Sequence, residues 1–176
     1  MSALSVLFIV LPILAVSLCH TLEVLFTAKR WASHHSASSD EAHQSLVNIL
    51  FRLSGMNMSA LVIAAVVGFL AVLLSTAALF AGGLCAELVW TTVFMAYSVC
   101  ALINLVRAVT LKGYVPGLVT SIISVPLIAY AAYSLSLVWP WWEMLLFAIL
   151  GLVLALANLY FAQRIGQRQT SNSTKN

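Results

Sequence analysis

Charged side chains are scarce in this chain of 176 residues: Asp, Glu, Lys and Arg together make up 7% of it. The few basic residues form no stripe or cluster, so the sequence does not favour a nucleic-acid partner. Gly-rich phosphate loops, Gly-x-Ser-x-Gly turns and Cys-x-x-Cys pairs are absent as well, which gives no support to nucleotide hydrolysis, acyl transfer or dithiol redox chemistry. We predict neither a metal nor another cofactor, because the three cysteines lack the spacing of metal ligands: Cys19, Cys85 and Cys100.

Hydrophobic residues make up 62% of the chain and are concentrated in five long stretches. A helix needs about 20 apolar residues to cross a membrane, and each stretch is long enough. We predict an all-α integral membrane bundle of five transmembrane helices, forming a single domain over 1–163, with a disordered cytoplasmic tail over 164–176. The first stretch is longer than the apolar part of a signal peptide and lacks a basic start, so we expect it to be retained. The stretches are Ala3–Thr27, Met58–Ala81, Leu84–Val106, Pro116–Trp139 and Trp141–Phe161.

The basic residues predict how these spans cross the membrane. All eight Lys and Arg residues lie in alternate gaps between spans or in the tail, and such residues stay on the cytoplasmic side. We therefore expect the N-terminus outside and the C-terminus inside. Trp90 and the three Trp residues around Pro140 would then mark the outer interface. The basic residues are Lys29, Arg30 and Arg52 in the first gap, Arg107 and Lys112 in the third, and Arg164, Arg168 and Lys175 in the tail.

The longest predicted connection is a cytoplasmic loop over 28–57. Apolar residues in its second half, from Leu46 to Leu53, recur at helical spacing. We predict an amphipathic helix over about 39–54 that either lies at the membrane surface or covers a cytoplasmic cavity of the bundle.

Two ionisable residues lie within the first span, where charge is energetically costly and therefore suggests function. His20 and Glu23 are three residues apart and share a helical face, and Trp31 shares it if the helix continues. Such a pair could transfer protons or supply two ligands of a metal site. The structural alternative is that Glu23 extends to the interface and pairs with a basic residue there.

Polar residues from two other segments are predicted at the same depth. Asn104 and Arg107 share a face at the cytoplasmic end of the third span, although an arginine there can also be a simple interfacial anchor. Tyr114 and Gly117 flank the predicted start of the fourth span, where Pro116 would open the helix and Gly117 would permit a close approach by a backbone or ligand.

Two segments of the chain resemble the HXXEE-motif domain family of small bacterial integral membrane proteins. His20–Val24 followed by Trp31 matches that family's signature in the first span, except that Val24 replaces the second Glu. The segment from Arg107 through Tyr114–Gly117 is similar to the family's second marked block. The resemblance implies a location in the inner (cytoplasmic) membrane of a bacterium and supports the membrane topology and the location of the site, but it implies no particular activity. The missing acidic residue favours an accessory member over a catalytic one.

Three functions agree with these observations. The first is a binding or accessory protein for a membrane lipid, a small amphiphile, a partner membrane protein or a second copy of the chain, with a ligand site formed by Asn104, Arg107, Tyr114, Gly117 and Trp31. The second is an intramembrane enzyme for a lipid-like substrate, in which His20 and Glu23 are the catalytic acid–base pair. The third is a small transporter or channel subunit.

Overall fold

Five long helices make up the structure, a computed structural model that describes residues 3–35, 58–110 and 112–173. The predicted all-α architecture with five helices long and apolar enough to span a membrane is confirmed. The predicted surface helix over 39–54 lies outside the described residues. The helices are α1 (Ala3–His35), α2 (Met58–Ala81), α3 (Leu84–Thr110), α4 (Leu118–Ser136) and α5 (Trp141–Ser173).

Helix boundaries follow the residues that interrupt a helix. Gly82 and Gly83 have φ angles of 84° and 104°, and this left-handed turn separates α2 from α3. The expectation that Pro116 opens the fourth helix was wrong by two residues. Gly117 has φ 87° and serves as the N-cap, so helical geometry begins only at Leu118.

The last helix is longer than the sequence suggested. A disordered tail was expected from residue 164, whereas α5 continues to Ser173. Gln and Arg, which recur in this segment, have good helix propensity, so the helix continues beyond its apolar part.

Helices α1 to α4 form a four-membered ring. In this ring α1 packs against α2 and α4, and α3 packs against the same two helices. The fifth helix lies outside the ring and packs against α2 and α3. A glycine lets α5 approach α3 closely. An added Cβ on Gly151 would lie 2.6 Å from the backbone nitrogen of Ala96, so only glycine permits this approach. Asn158 joins α5 to α2 by donating a hydrogen bond of 2.9 Å to the Ala64 carbonyl.

An apolar core fills one end of the ring, at the beginning of α1 and α3 and the end of α4. Trp90 belongs to this core: its indole stacks on Phe94 at 5.5 Å and donates to Thr76 at 3.3 Å. Trp90 is 4% exposed, so the expectation that it marks a membrane interface was wrong. The core residues are Ile9, Val10, Ile13, Trp90, Phe94, Ala131 and Leu135.

Large apolar side chains cover the outside of the bundle. Phe26, Val109 and Trp141 are each more than three-quarters exposed, and all five helices contribute further exposed apolar residues. Such a continuous surface is unfavourable in water and matches the hydrocarbon of a bilayer. The chain is therefore a multi-pass membrane protein.

Candidate functional site

The carboxylate of Glu23 binds the beginning of a different helix. Its Oε1 accepts a hydrogen bond of 3.1 Å from the Val119 backbone N–H, and its Oε2 accepts one of 2.8 Å from the Thr120 N–H. These N–H groups belong to the first turn of α4, where no carbonyl within the helix can accept them. Glu23 on α1 thus performs the role of an N-cap for α4, and its negative charge interacts favourably with the positive end of the helix dipole.

Two hydroxyl groups complete the surroundings of this carboxylate. Tyr114 donates to Oε1 at 2.7 Å, and the Thr120 hydroxyl donates to Oε2 at 2.7 Å. Partial burial raises the pKa of Tyr114, a hydrogen bond with Thr27 opposes this, and the Glu23 carboxylate raises it further, so the phenol remains a donor. With four donors around it, Glu23 matches the hydrogen-bonding capacity of an ionised carboxylate.

His20 lies one turn before Glu23 on α1 and contacts the same turn of α4. Its Nδ1 is 2.9 Å from the Thr120 hydroxyl, so Thr120 stands between the imidazole and the carboxylate. The ring edge also faces Tyr97 of α3, with 6.3 Å between ring centroids. The predicted pair is thus brought together, but through an intervening hydroxyl group.

Gly117 provides the space that the imidazole occupies. An added Cβ at this position would lie 2.9 Å from Nδ1 and 3.1 Å from Nε2 of His20, and closer still to Cε1. The sequence predicted a close approach to Gly117 by a backbone or a ligand, and the approaching group is this side chain. Gly117 therefore has two reasons to be glycine: its positive φ and the ring packed against it.

A stripe of buried hydroxyl groups continues along α4 from the Glu23 contact. Asn104 donates to the Ser121 hydroxyl at 3.4 Å, and Tyr97 forms a hydrogen bond of 2.7 Å with Ser124. Both serines are fully buried and donate to carbonyls of their own helix. The stripe therefore joins α3 to α4 and places Asn104 next to the turn that Glu23 caps.

Arg107 lies one turn beyond Asn104 and is only 9% exposed. That it shares the site with His20 and Glu23 remains a prediction from the sequence. The backbone of Trp31 continues α1, but its side chain lies outside the described residues. In the part of the chain that the structure describes, no cluster of three His, Cys, Asp or Glu residues could hold a metal ion.

Sequence reasoning missed the partners of Glu23 on α4. Backbone donors leave no mark in a sequence, so Val119 could not have been identified. Thr120, Ser121 and Ser124 carried a signal, since three hydroxyl residues lie close together in an otherwise apolar span. Hydroxyl residues are frequent at contacts between membrane helices, so this cluster could have indicated a helix contact.

The fold and the site define an α-helical multi-pass membrane protein with a polar cluster joining α1, α3 and α4 at one end of the helix ring. The chain belongs to the family described as proteins of unknown function with an HXXEE motif, whose model matches residues 10–132. This match begins in α1 and ends in α4, so it covers the helix ring and the site but not α5. Searches of curated proteins and of solved structures found no match. At the motif's second acidic position this chain has Val24, which is 4% exposed.

Proposed function

We propose that the protein is a membrane-embedded binding protein for a small amphiphile whose polar end contacts His20. The observation that carries this proposal is the hydrogen bonding of Glu23. All four of its donors are supplied by the protein itself, so the carboxylate holds the helices together and is not available to a substrate. A pair for general acid–base catalysis requires the second group within reach of the reacting proton, and here the Glu23 carboxylate is already bound.

Apolar surface beside the polar cluster supports an amphiphile as the ligand. Leu22, Phe26 and Val119 are exposed and neighbour Glu23 and Thr120 along their helices. A polar headgroup could contact His20 while its apolar chain lies against these residues. Arg107, buried on α3 one turn from Asn104, would add positive charge if the headgroup is anionic.

An intramembrane enzyme for a lipid-like substrate is the second candidate. Two contacts favour it: His20 contacts the Thr120 hydroxyl, and this hydroxyl donates to Glu23. An imidazole that is oriented through one nitrogen can act as a base with the other. The binding function is preferred, since the two hydroxyl groups next to His20 are already engaged within the protein: Thr120 donates to Glu23, and Tyr97 bonds to Ser124.

Replacing His20 with asparagine tests the binding function. The Asn amide ends near the position of Nδ1, so it can keep the contact with Thr120 while Nε2 is lost. We expect wild-type protein, gently solubilised, to retain a small amphiphile in native mass spectra, and His20→Asn to lose it while remaining folded.

Thr110→Val is the matched control for this measurement, because Thr110 is exposed and donates only to its own helix at Val106. It should retain the ligand. Identical spectra without any ligand in wild type and His20→Asn would contradict the proposal. A co-purifying membrane protein, or a dimer of this chain, would indicate the accessory function instead.

We further propose the topology with the N-terminus outside and the C-terminus in the cytoplasm of a bacterial inner membrane, with a surface helix over about 39–54 on the cytoplasmic side. Its support is the distribution of basic residues. Cys85 is exposed beside the turn between α2 and α3, on the proposed outer side. In a variant carrying Cys19→Ala and Cys100→Ala, a membrane-impermeant maleimide should label Cys85 in intact cells.

The control for orientation places the single cysteine at the other end of the chain. With all three natural cysteines replaced, Asn176→Cys should be labelled only after the cells are opened. The reverse pattern would invert the proposed topology.

A further inference from the structure

We propose that Thr120 is a positioning residue that holds the neutral His20 imidazole with its proton on Nδ1, so that Nε2 accepts a hydrogen bond from a hydroxyl or amine of a bound headgroup. This inference rests on the proposed binding function and names the chemistry of the ligand. It follows from the number of protons available to the three groups in contact: His20, Thr120 and Glu23.

The Thr120 hydroxyl has one proton to donate, and two acceptor oxygens compete for it. Oγ1 is 2.7 Å from Glu23 Oε2 and 3.2 Å from the Gly117 carbonyl. An ionised carboxylate only accepts, so an oxygen at 2.7 Å without a proton between the two would be repelled. The proton therefore lies toward Glu23, and Oγ1 faces His20 with a lone pair.

This arrangement fixes the tautomer of His20. Nδ1 lies 2.9 Å from Oγ1, and two lone pairs facing each other at that distance would be unfavourable. Nδ1 must therefore carry a proton that it donates to Thr120. In the neutral ring the other nitrogen, Nε2, then has the free lone pair. The ring also forms a hydrogen bond with the Gly117 backbone. We assign this bond to the same Nδ1 proton, which faces Thr120 at this turn, so that the lone pair of Nε2 is left for a ligand.

A ligand that meets Nε2 must bring its own proton. Hydroxyl and amine groups can donate to it, whereas a quaternary ammonium or a fully ionised phosphate cannot. The same chemistry is available from a lipid headgroup or from a small water-soluble amine or alcohol. One hydrogen bond should favour a donor headgroup over a non-donor about two- to tenfold.

Nitrogen NMR of histidine-labelled protein in lipid nanodiscs tests the tautomer. The His20 signal is identified by its absence in His20→Asn. Wild type at neutral pH should show a protonated Nδ1 and an unprotonated Nε2. Thr120→Val, which keeps the shape but removes the hydroxyl, should lose this preference, and Thr120→Ser should restore it. Thr110→Val should match wild type.

The NMR result can overturn the inference without any ligand. Protonation of Nε2 in wild type, in the neutral or the charged ring, would contradict it, and so would an unchanged tautomer in folded Thr120→Val. Should Thr120→Val fail to fold, the wild-type tautomer and Thr120→Ser still decide the question.

Two lipids of equal net charge test the ligand chemistry. Phosphatidylethanolamine has an ammonium donor, and phosphatidylcholine with the same acyl chains has none. Binding measured by native mass spectrometry should favour phosphatidylethanolamine in wild type and show no preference in His20→Asn. Competition by free ethanolamine would indicate a water-soluble ligand, and its absence a lipid.

Equal binding of the two lipids in wild type, lost in His20→Asn, would overturn the assigned ligand chemistry but leave the proposed function intact. If no lipid or amine binds in a manner that depends on His20, the proposed function itself fails. The NMR measurement would then still judge the role of Thr120.

Discussion

Replacing Glu23 with leucine should destabilise the protein by about 2–4 kcal/mol, because each of two backbone donors at the start of α4 loses its acceptor at a cost of about 1–3 kcal/mol. The loss of both acceptors could cost about 2–6 kcal/mol in all. We expect the lower part of this range, since the Val119 contact is exposed and water can replace the carboxylate there. The Thr120 N–H is more enclosed and contributes more. Loss of the favourable charge at the helix N-terminus adds about 0.3–1 kcal/mol.

Glu23→Gln should have a smaller effect than Glu23→Leu. The amide keeps one acceptor oxygen, but its NH₂ group must face some of the donors that surround the carboxylate. Unfolding of each variant by SDS titration in mixed micelles, followed by far-UV circular dichroism, measures these differences.

Glu87→Leu is the matched control for this series. Glu87 also lies in the first turn of a helix, but it is exposed and on α3 itself. It should change the free energy of unfolding by less than about 0.5 kcal/mol. If Glu23→Leu were equally harmless, the carboxylate would not be holding α1 to α4, and its availability to a ligand would have to be reconsidered.

Much of the fold could be predicted because the membrane restricts what a chain can do. Spanning segments must satisfy their backbone internally, so long apolar runs become helices. The predicted boundaries at Ala81, Leu84 and Trp141 agree with the structure. In each case a glycine pair or Pro140 interrupts the apolar pattern, and these residues signal a break independently of tertiary contacts.

The site was predictable only in part, for a physical reason. Side chains that are costly in a membrane are few, so His20, Glu23 and Asn104 could be selected by type alone. Their roles could not, because the partners of Glu23 are mainly backbone groups and hydroxyls, which occur at many positions. Because Glu23 lies one turn from His20, the sequence also suggested a direct contact between the two side chains. In the structure both carboxylate oxygens of Glu23 instead accept hydrogen bonds from α4, and His20 contacts Thr120.

Replacing Gly117 with alanine should be among the most damaging single changes in the chain, even though it adds only a methyl group. A non-glycine residue at φ 87° costs about 1–2 kcal/mol. The new Cβ would also overlap the His20 ring, and overpacking of this kind costs about 1–3 kcal/mol. We expect a loss of about 2–5 kcal/mol in the free energy of unfolding, together with a displaced imidazole.

Gly82→Ala separates the two contributions. Gly82 has nearly the same φ, 84°, but nothing lies within 4 Å of an added Cβ. It should therefore show the backbone cost alone, and the difference between the two alanine variants measures the contact with His20. A second measure is the double variant Gly117→Ala/His20→Ala, which removes the overlap and should be more stable than the two single changes added together. Additive effects would mean that His20 does not pack against Gly117. The ring position from which we infer that Thr120 orients the imidazole would then be wrong.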